Sequence, residues 1–394
     1  MTVLSSKVSH PRQLSRRADA MPRSAIREIM ALAASRPEVI HLEVGEPDFA
    51  TPEHITTAAF TAVRSGATKY TGNAGRFKLR EQIAARVRAR TRATVAADHV
   101  IVTVGAIGAL YTALMSILDA GDEVLIPDPG WPNYEAIAVL AGARAVRYPL
   151  SAKAEFVPDP DDIARRIGPR TKAVLLNSPG NPTGVVFPAE TAAAIGALAE
   201  RTGIYIVSDE IYEDIVFDGC RHVSFLDCAP ADRVFIVGGA SKSYAMTGWR
   251  LGWLIAPPAA APLAVKLQEP IVSCAPTPSQ VAAEAALGGT QSAVEEGRRL
   301  FERRRNLFLD VLGETGAIAA RPRGAFYGLV DIPRTAENAL AFAKRLLIER
   351  GVAVVPGDTF GATTARMVRL AFTTDDVSLR KGLEHLREVL AGAP

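Results

Sequence analysis

Ala173-Val174-Leu175-Leu176-Asn177-Ser178-Pro179-Gly180-Asn181-Pro182-Thr183-Gly184 is an apolar run that stops in a rigid turn. Four apolar residues bounded by turn chemistry read as a short, fully buried strand of the parallel kind. The next apolar run, residues 204–207, stops at Ser208-Asp209-Glu210, and an alanine-rich helical stretch, residues 191–202, lies between the two. Strand, helix, strand is a βαβ unit. The pattern extends along the chain. Residues 100–104 end at Gly105, residues 109–118 read as a helix, and residues 124–126 and 234–237 are further strands, each expected to be buried and parallel. The expected fold class is therefore α/β, with a large domain on a mainly parallel sheet. Ligands in such sheets bind beyond the carboxyl ends of the strands, where these polar residues sit.

The last third reads differently. A charged helix over residues 294–312 precedes Gly324-Ala325-Phe326-Tyr327-Gly328-Leu329-Val330, a helix near 336–350, and strand-like segments at 352–355 and 367–372. This predicts a smaller α+β domain, joined by the segment near 39–44. The expected division is an N-terminal arm (1–22), a small domain (23–51 and 291–394) and a large domain (52–290).

A chain of 394 residues buries a large core. Its 45 basic and 42 acidic residues nearly balance at +3, which argues against a nucleic-acid surface. Only the start is lopsided, with Lys7, Arg12, Arg16 and Arg17 against Asp19. It reads as a flexible arm, with a short transit peptide as the alternative. There is no secretory signal and no apolar run of about 18 residues, so no membrane partner is expected. Cys220, Cys228 and Cys274 form no CxxC pair and read as free thiols of a reducing cytoplasm. No His/Cys cluster points to a metal.

The segment Ser241-Lys242-Ser243-Tyr244-Ala245-Met246-Thr247-Gly248-Trp249-Arg250-Leu251-Gly252-Trp253 holds a lysine with no charged neighbour before Arg250. Partial burial lowers the pKa of such an amine and frees it as a nucleophile toward carbonyls, the aldehyde of pyridoxal phosphate included. A surface lysine on a Ser/Gly turn is the plainer alternative. Asp209 ends a buried strand and calls for a partner; a pyridinium nitrogen suits it, and so does capping a helix that starts near Ile211. Tyr212 then shares its face as a phenol donor or as a packed aromatic. Asn181 either presents an amide to a ligand or caps its turn.

Gly105-Ala106-Ile107-Gly108 opens a helix with small residues, suiting a phosphate on backbone N–H groups, although the glycine pattern is weak. Arg250 adds a bidentate fork, and Ser241 and Ser243 add hydroxyls. Trp131 follows a strand and either stacks on a flat cofactor or fills a core edge. Arg369, inside an apolar strand, needs an anion, either a substrate carboxylate or a structural acid.

These pieces occur together and in order. From about Arg23 onward the chain resembles the fold-type I pyridoxal-phosphate aminotransferases, in particular the aspartate-aminotransferase superfamily of bacterial and archaeal type. The likeness rests on Gly45-Glu46-Pro47-Asp48-Phe49, Lys69-Tyr70-Thr71, the 177–184 turn, Ser208-Asp209-Glu210-Ile211-Tyr212 and the 241–253 segment. It implies a seven-stranded-type sheet and pyridoxal 5′-phosphate as cofactor. It implies that Lys242 carries the internal aldimine and shuttles the proton, that Asp209 pairs with the ring nitrogen, and that Asn181 and Tyr212 bond the phenolic oxygen. Gly105, Ala106, Ser241 and Arg250 would hold the phosphate with Ile107 in the same loop, and Trp131 would stack on the ring. Tyr70 would reach the cofactor of a partner subunit, making a homodimer obligatory. Arg369, with Gly45 nearby and Asn181 and Trp131 alongside, would grip the substrate carboxylate. The expected reaction is ping-pong transfer of an amino group from an L-amino acid to a 2-oxo acid.

The sequence departs from that pattern at Ile107. Aspartate-preferring relatives tend to carry a lysine there for the distal carboxylate; an apolar residue disfavours an unpaired carboxylate. A neutral donor, aliphatic or aromatic, is expected. The same cofactor site also serves lyases, decarboxylating or cyclising enzymes and amino-acid oxidases, which form the alternative. A cofactor-sensing regulator would need a DNA-binding domain, for which about twenty leading residues are too few.

Overall fold

The computed structural model describes residues 14–19, 21, 25–336 and 338–392. Lys7 and Arg12 of the basic arm lie outside the described residues; Arg16–Asp19 form a short helix, and Arg17 Nη1 reaches the Leu140 carbonyl at 3.5 Å.

The strands, numbered in chain order, are β1 (Ile40–His41), β2 (Val100–Val104), β3 (Glu123–Asp128), β4 (Arg144–Pro149), β5 (Thr171–Asn177), β6 (Tyr205–Asp209), β7 (Val234–Gly239), β8 (Leu251–Ile255), β9 (Tyr327–Asp331), β10 (Val352–Ala353), β11 (Val355–Pro356) and β12 (Met367–Ala371). Seven form one sheet in the order β2-β8-β7-β6-β5-β3-β4. The pairs from β7 to β4 are parallel, and β8 is antiparallel to both of its neighbours. The strands expected from sequence at β2, β3, β5, β6 and β7 are all present. One detail is corrected: β2 lies at the sheet edge and pairs only with the antiparallel β8, so it has no parallel partner. The intervening β8 went unread because its first three residues, Leu251-Gly252-Trp253, close the lysine segment and were read with it. Strand β4, with its exposed and half-buried residues, has too little apolar patterning to stand out.

Helices cover the sheet because their inner faces are small and apolar. Gly105–Met115 buries Ala109, Leu110, Ala113 and Leu114, and Ala189–Thr202 buries Ala192, Ile195, Leu198 and Ala199. Alanines let helix and sheet approach closely at little side-chain entropy cost.

The C-terminal third builds around a three-stranded antiparallel sheet, β11-β12-β9, and the parallel pair β1-β10, through which the early segment pairs with it. Phe301, Phe308, Phe326, Phe342 and Leu383 fill its core. Helix Ala339–Arg350 starts at Asn338, whose side chain accepts from Ala341 N; helix Asp376–Leu390 starts at Asp375, which accepts from Val377 N and Ser378 N. Such caps each contribute about 1 kcal/mol. Arg304 of helix Ser292–Leu312 pairs with both Asp48 and Asp376 at 2.8 and 2.7 Å, tying the Gly45–Phe49 segment to this region.

Candidate active site

A cavity of about 400 Å³ opens where β5 and β6 end, and Asn181, Asp209, Tyr212, Lys242, Arg250 and Arg369 line it together. The last residues of the two strands, Asn177 and Asp209, are register partners. Asn177 Nδ2 donates to the Asp209 and Pro179 carbonyls (2.9 and 3.2 Å), and its Oδ1 accepts from Asn181 N at 2.8 Å. This side chain therefore locks the turn that presents Asn181.

Asp209 is buried at 4 % exposure and pairs with no cation among the described residues. Burial pushes its carboxyl up to about 6, against the hydrogen bond from Tyr134 (2.8 Å to Oδ2). Residues 211–214 form a turn, so Asp209 does not cap a helix; its Oδ1 accepts only a long 3.3 Å bond from Ile211 N. Tyr212 is buried and shares a 2.9 Å hydrogen bond with the Tyr327 hydroxyl.

Lys242 follows β7 in a turn, and its Nζ donates to the Gly45 carbonyl at 2.7 Å. The rings of Phe326 and Tyr212 lie 5.6 and 6.0 Å away. Burial pulls its pKa down to about 8; Glu46 opposes the shift, and Arg369 and Arg250 reinforce it. Two non-glycine residues of this turn, Ala245 and Arg250, hold left-handed φ of 51° and 53°. Each such residue costs about 1–3 kcal/mol and persists only when its surroundings impose it. The surroundings here are specific. Thr51 Oγ1 donates to the Ala245 carbonyl (2.6 Å) and accepts from Trp249 Nε1 (3.1 Å), while the Thr247 hydroxyl donates to Glu46.

Gly105 begins helix Gly105–Met115 with φ +70°, and a Cβ there would lie 2.6 Å from Arg250 Nη2. Only glycine lets this helix start against the guanidinium. Ala106 and Ile107 line the cavity at the helix N-terminus, where backbone N–H groups lack intrahelical partners. Arg250 Nη1 donates to the Thr247 carbonyl at 2.8 Å, and no carboxylate pairs with it among the described residues. Ser241 lines the cavity. Ser243 is a correction: it turns away and bonds Asp214, so it adds no hydroxyl to this site.

Arg369 of β12 is buried at 3 % exposure and forms no salt bridge with an acid among the described residues; the Glu43 carboxylate acts on it only at longer range. Its Nη1 donates to Asn181 Oδ1 (3.1 Å) and Nη2 to the Glu43 carbonyl (2.6 Å); Nε has no partner. Tyr327 and Phe360 sandwich the guanidinium at 4.5 and 5.1 Å. Burial lowers its pKa from the ordinary arginine value. Gly45 also lines the cavity, and a Cβ there would lie 2.1 Å from the Tyr327 hydroxyl. Trp131 forms another wall, edge-on to Tyr134 at 5.7 Å and 86°. Tyr70 stands outside the cavity, 88 % exposed.

Sequence reasoning missed Tyr134, Asn177 and Tyr327, and the cavity wall formed by Ile26 and Met30. Asn177 and Tyr327 lay inside quoted motifs, but nothing local marked their roles.

The site holds a buried carboxylate without a cation, an arginine without an acid beside a helix N-terminus, and a second arginine with a free Nε. These fit a molecule with a cationic ring nitrogen, a phosphate and a carboxylate-bearing adduct. The family model described as aminotransferase class I and II matches residues 37–386. The chain belongs to this family. It is 40% identical over 389 residues to an aspartate/prephenate aminotransferase of Thermus thermophilus, covering 97% of this chain and 100% of that one. It is 37% identical over 351 residues to an arginine–pyruvate transaminase of Pseudomonas aeruginosa, covering 89% of each. A solved structure of a Thermus thermophilus aspartate aminotransferase double mutant superposes with a TM-score of 0.91 at 39% identity, over 96% of this chain and 100% of that one. The protein is a pyridoxal-phosphate-dependent aminotransferase, moving an amino group between an amino acid and a 2-oxo acid. A lyase, decarboxylase or oxidase outcome is not favoured by these relatives.

Proposed function

We propose that Lys242 is the cofactor-linking and proton-transferring residue, Asp209 the partner of the ring nitrogen, and Asn181 and Tyr212 the partners of the phenolic oxygen. The N–H groups of the loop Gly105, Ala106 and Ile107, with Ser241 and Arg250, hold the phosphate, and Trp131 packs on the ring. The observation that carries this reading is the joint presence of Asp209 and Lys242 in one cavity, Asp209 buried and Lys242 half-buried, with proton affinities shifted in opposite directions. When bound, the cofactor supplies an aldehyde for condensation with an amine and an electron-withdrawing ring.

The chain's own groups then divide the work. A pKa near 8 leaves a useful fraction of Lys242 neutral at physiological pH, so Nζ accepts the Cα proton of the amino acid as general base. Asp209, held by Tyr134 and stabilised as an anion by a cationic neighbour, keeps that neighbour protonated. Arg369 takes the α-carboxylate through its unpartnered Nε and its fork, while Gly45 leaves room for it. One 2-oxo acid leaves before the second enters, in two half-reactions.

The site is completed by Tyr70 of the partner subunit in a homodimer. Tyr70, with Phe60 and Phe77 at 63% and 64% exposure, leaves aromatic surface uncovered on the protomer, which supports an interface there. A cytoplasmic location agrees with three free cysteines and with the absence, among the described residues, of a helix able to cross a membrane.

The preferred donor is neutral rather than acidic. Ile107 lines the cavity together with Ile26 and Met30, so this wall offers a distal carboxylate no cation. Steady-state kinetics with a panel of amino donors, products identified by mass spectrometry, tests this. Leucine, phenylalanine or another neutral donor is expected to lead; aspartate leading by a wide margin overturns it.

A further inference from the structure

A second cavity, of about 370 Å³, lies against helix Phe77–Arg90, the loop after β6 and strands β7 and β8. It is nearly as large as the first and shares none of its lining residues. Asp209 lines the first cavity and Glu210, the next residue, lines the second. This second cavity is partly open to solvent and falls in the size range of ligand pockets.

Its polar groups are unevenly spent. The acids are fully occupied. Glu210 Oε1 accepts from Ser208 Oγ, Ser224 Oγ and Phe225 N (2.9, 3.1 and 3.2 Å), and Oε2 meets His222 Nε2 at 2.9 Å. Glu213 and Asp214 are held by Arg86 and Arg90. The groups left over are of the donor kind. His222 has a side chain only 10% exposed, and its Nδ1 has no partner. Burial disfavours charge on this ring, but Glu210 outweighs it and raises the pKa, which makes Nδ1 a hydrogen donor more of the time. Trp253 is buried against Gly238, and its indole N–H has no acceptor among the described residues. Arg221 on the same wall is exposed and has no acid partner among the described residues. Most of the remaining lining is apolar, with Ile83, Val87, Leu226, Ile236 and Ile255 beside Thr91, whose hydroxyl donates to the Val87 carbonyl.

An apolar chamber with spare donors and one spare cation asks for an apolar body that carries an acceptor-rich anion. The geometry points to a second binding site, separate from the catalytic cavity, for a small aromatic or branched monocarboxylate. Its ring or branch sits against Leu226, Ile236 and Trp253, and its carboxylate is taken by Arg221, His222 Nδ1 and the Trp253 indole.

The probe is phenylacetate, added to the cofactor-loaded enzyme and followed by thermal melting and calorimetry. Arg369 also attracts a carboxylate, so three variants separate the two cavities. The expected result is a melting shift that survives in Arg369→Lys, weakens at least about fivefold in affinity in Arg221→Ala, and vanishes in Leu226→Trp, which fills the chamber. Arg221 is exposed, so its variant folds even where Leu226→Trp does not. The proposal is overturned by the absence of any shift in the wild type, by its loss in Arg369→Lys, or by wild-type affinity in Arg221→Ala.

Discussion

The Lys242 ammonium is held by a backbone carbonyl, that of Gly45, at 2.7 Å. No carboxylate pairs with it; Glu46 acts only at longer range, its side chain taken by the Thr247 hydroxyl. A neutral acceptor orients the amine without fixing its charge, so burial wins and the pKa falls to about 8. The Lys242→Ala variant is expected to fold and assemble like the wild type. Its turnover should fall on the order of 10³–10⁴-fold or more, with loss of the visible absorbance of the lysine-linked cofactor. Spectra and single-turnover rates check this; wild-type turnover would end the assignment.

Asp209 and Lys242 set opposite pH slopes on the stability of the cofactor-free protein. A carboxyl raised from 3.8 to about 6 makes the folded Asp209 bind protons the unfolded chain has released, so stability is lost as pH rises from about 4 through 6. Two units correspond to about 3 kcal/mol. A lysine lowered from 10.5 to about 8 behaves in reverse, and stability is gained as pH rises from about 8 toward 10.5. Urea unfolding of the apoenzyme across pH is expected to show both slopes. Asp209→Asn should remove the first and Lys242→Met the second, the latter also stabilising the apoenzyme at pH 7 on the order of 2 kcal/mol after discounting for partial solvent access. Unchanged slopes in both variants would show that neither charge is penalised by burial.

Asp209 was readable because it ends an apolar run that announces a strand, and Lys242 because no charged neighbour precedes Arg250, although each residue also had an ordinary alternative. The parallel part of the sheet was readable from the same kind of apolar run. What escaped needed distant chain. Tyr134 reaches Asp209 across 75 positions, and Tyr327 meets Tyr212 across 115, with no local spacing to reveal either contact. Ser243 was misread because neighbours in a strained turn point to different sides: Ser241 lines the cofactor cavity while Ser243 bonds Asp214. The absence of a salt bridge to Arg369 among the described residues is likewise a fact of packing, since Asn181 arrives from 188 residues away and offers an amide oxygen instead.

Gly105 is expected to be the least replaceable glycine of the proposed phosphate cradle. Gly105→Ala asks alanine to hold φ +70° and places Cβ 2.6 Å from Arg250 Nη2. The left-handed conformation costs about 1 kcal/mol, and the guanidinium must swing away from its place beside the helix N-terminus. Cofactor affinity should fall by about tenfold or more, with little change in the rate at saturating cofactor. Fluorescence titration of the apoenzyme with pyridoxal 5′-phosphate measures it; unchanged affinity would place the phosphate elsewhere.

Ile107, the residue after Ala106, lines the cavity, as do Ile26 and Met30. Replacing it with lysine puts a cation where a distal carboxylate has none. Ile107→Lys is expected to raise kcat/KM for aspartate by about tenfold to a hundredfold, the worth of one new charge-assisted bond in a partly dry site, and to lower it for leucine and phenylalanine by a smaller factor. The change should appear in the ratio of kcat/KM values, because the roles proposed for Arg369 and Lys242 are the same for every donor. If the ratio does not move, the distal group lies against another wall, and Ile26 or Met30 becomes the residue to vary.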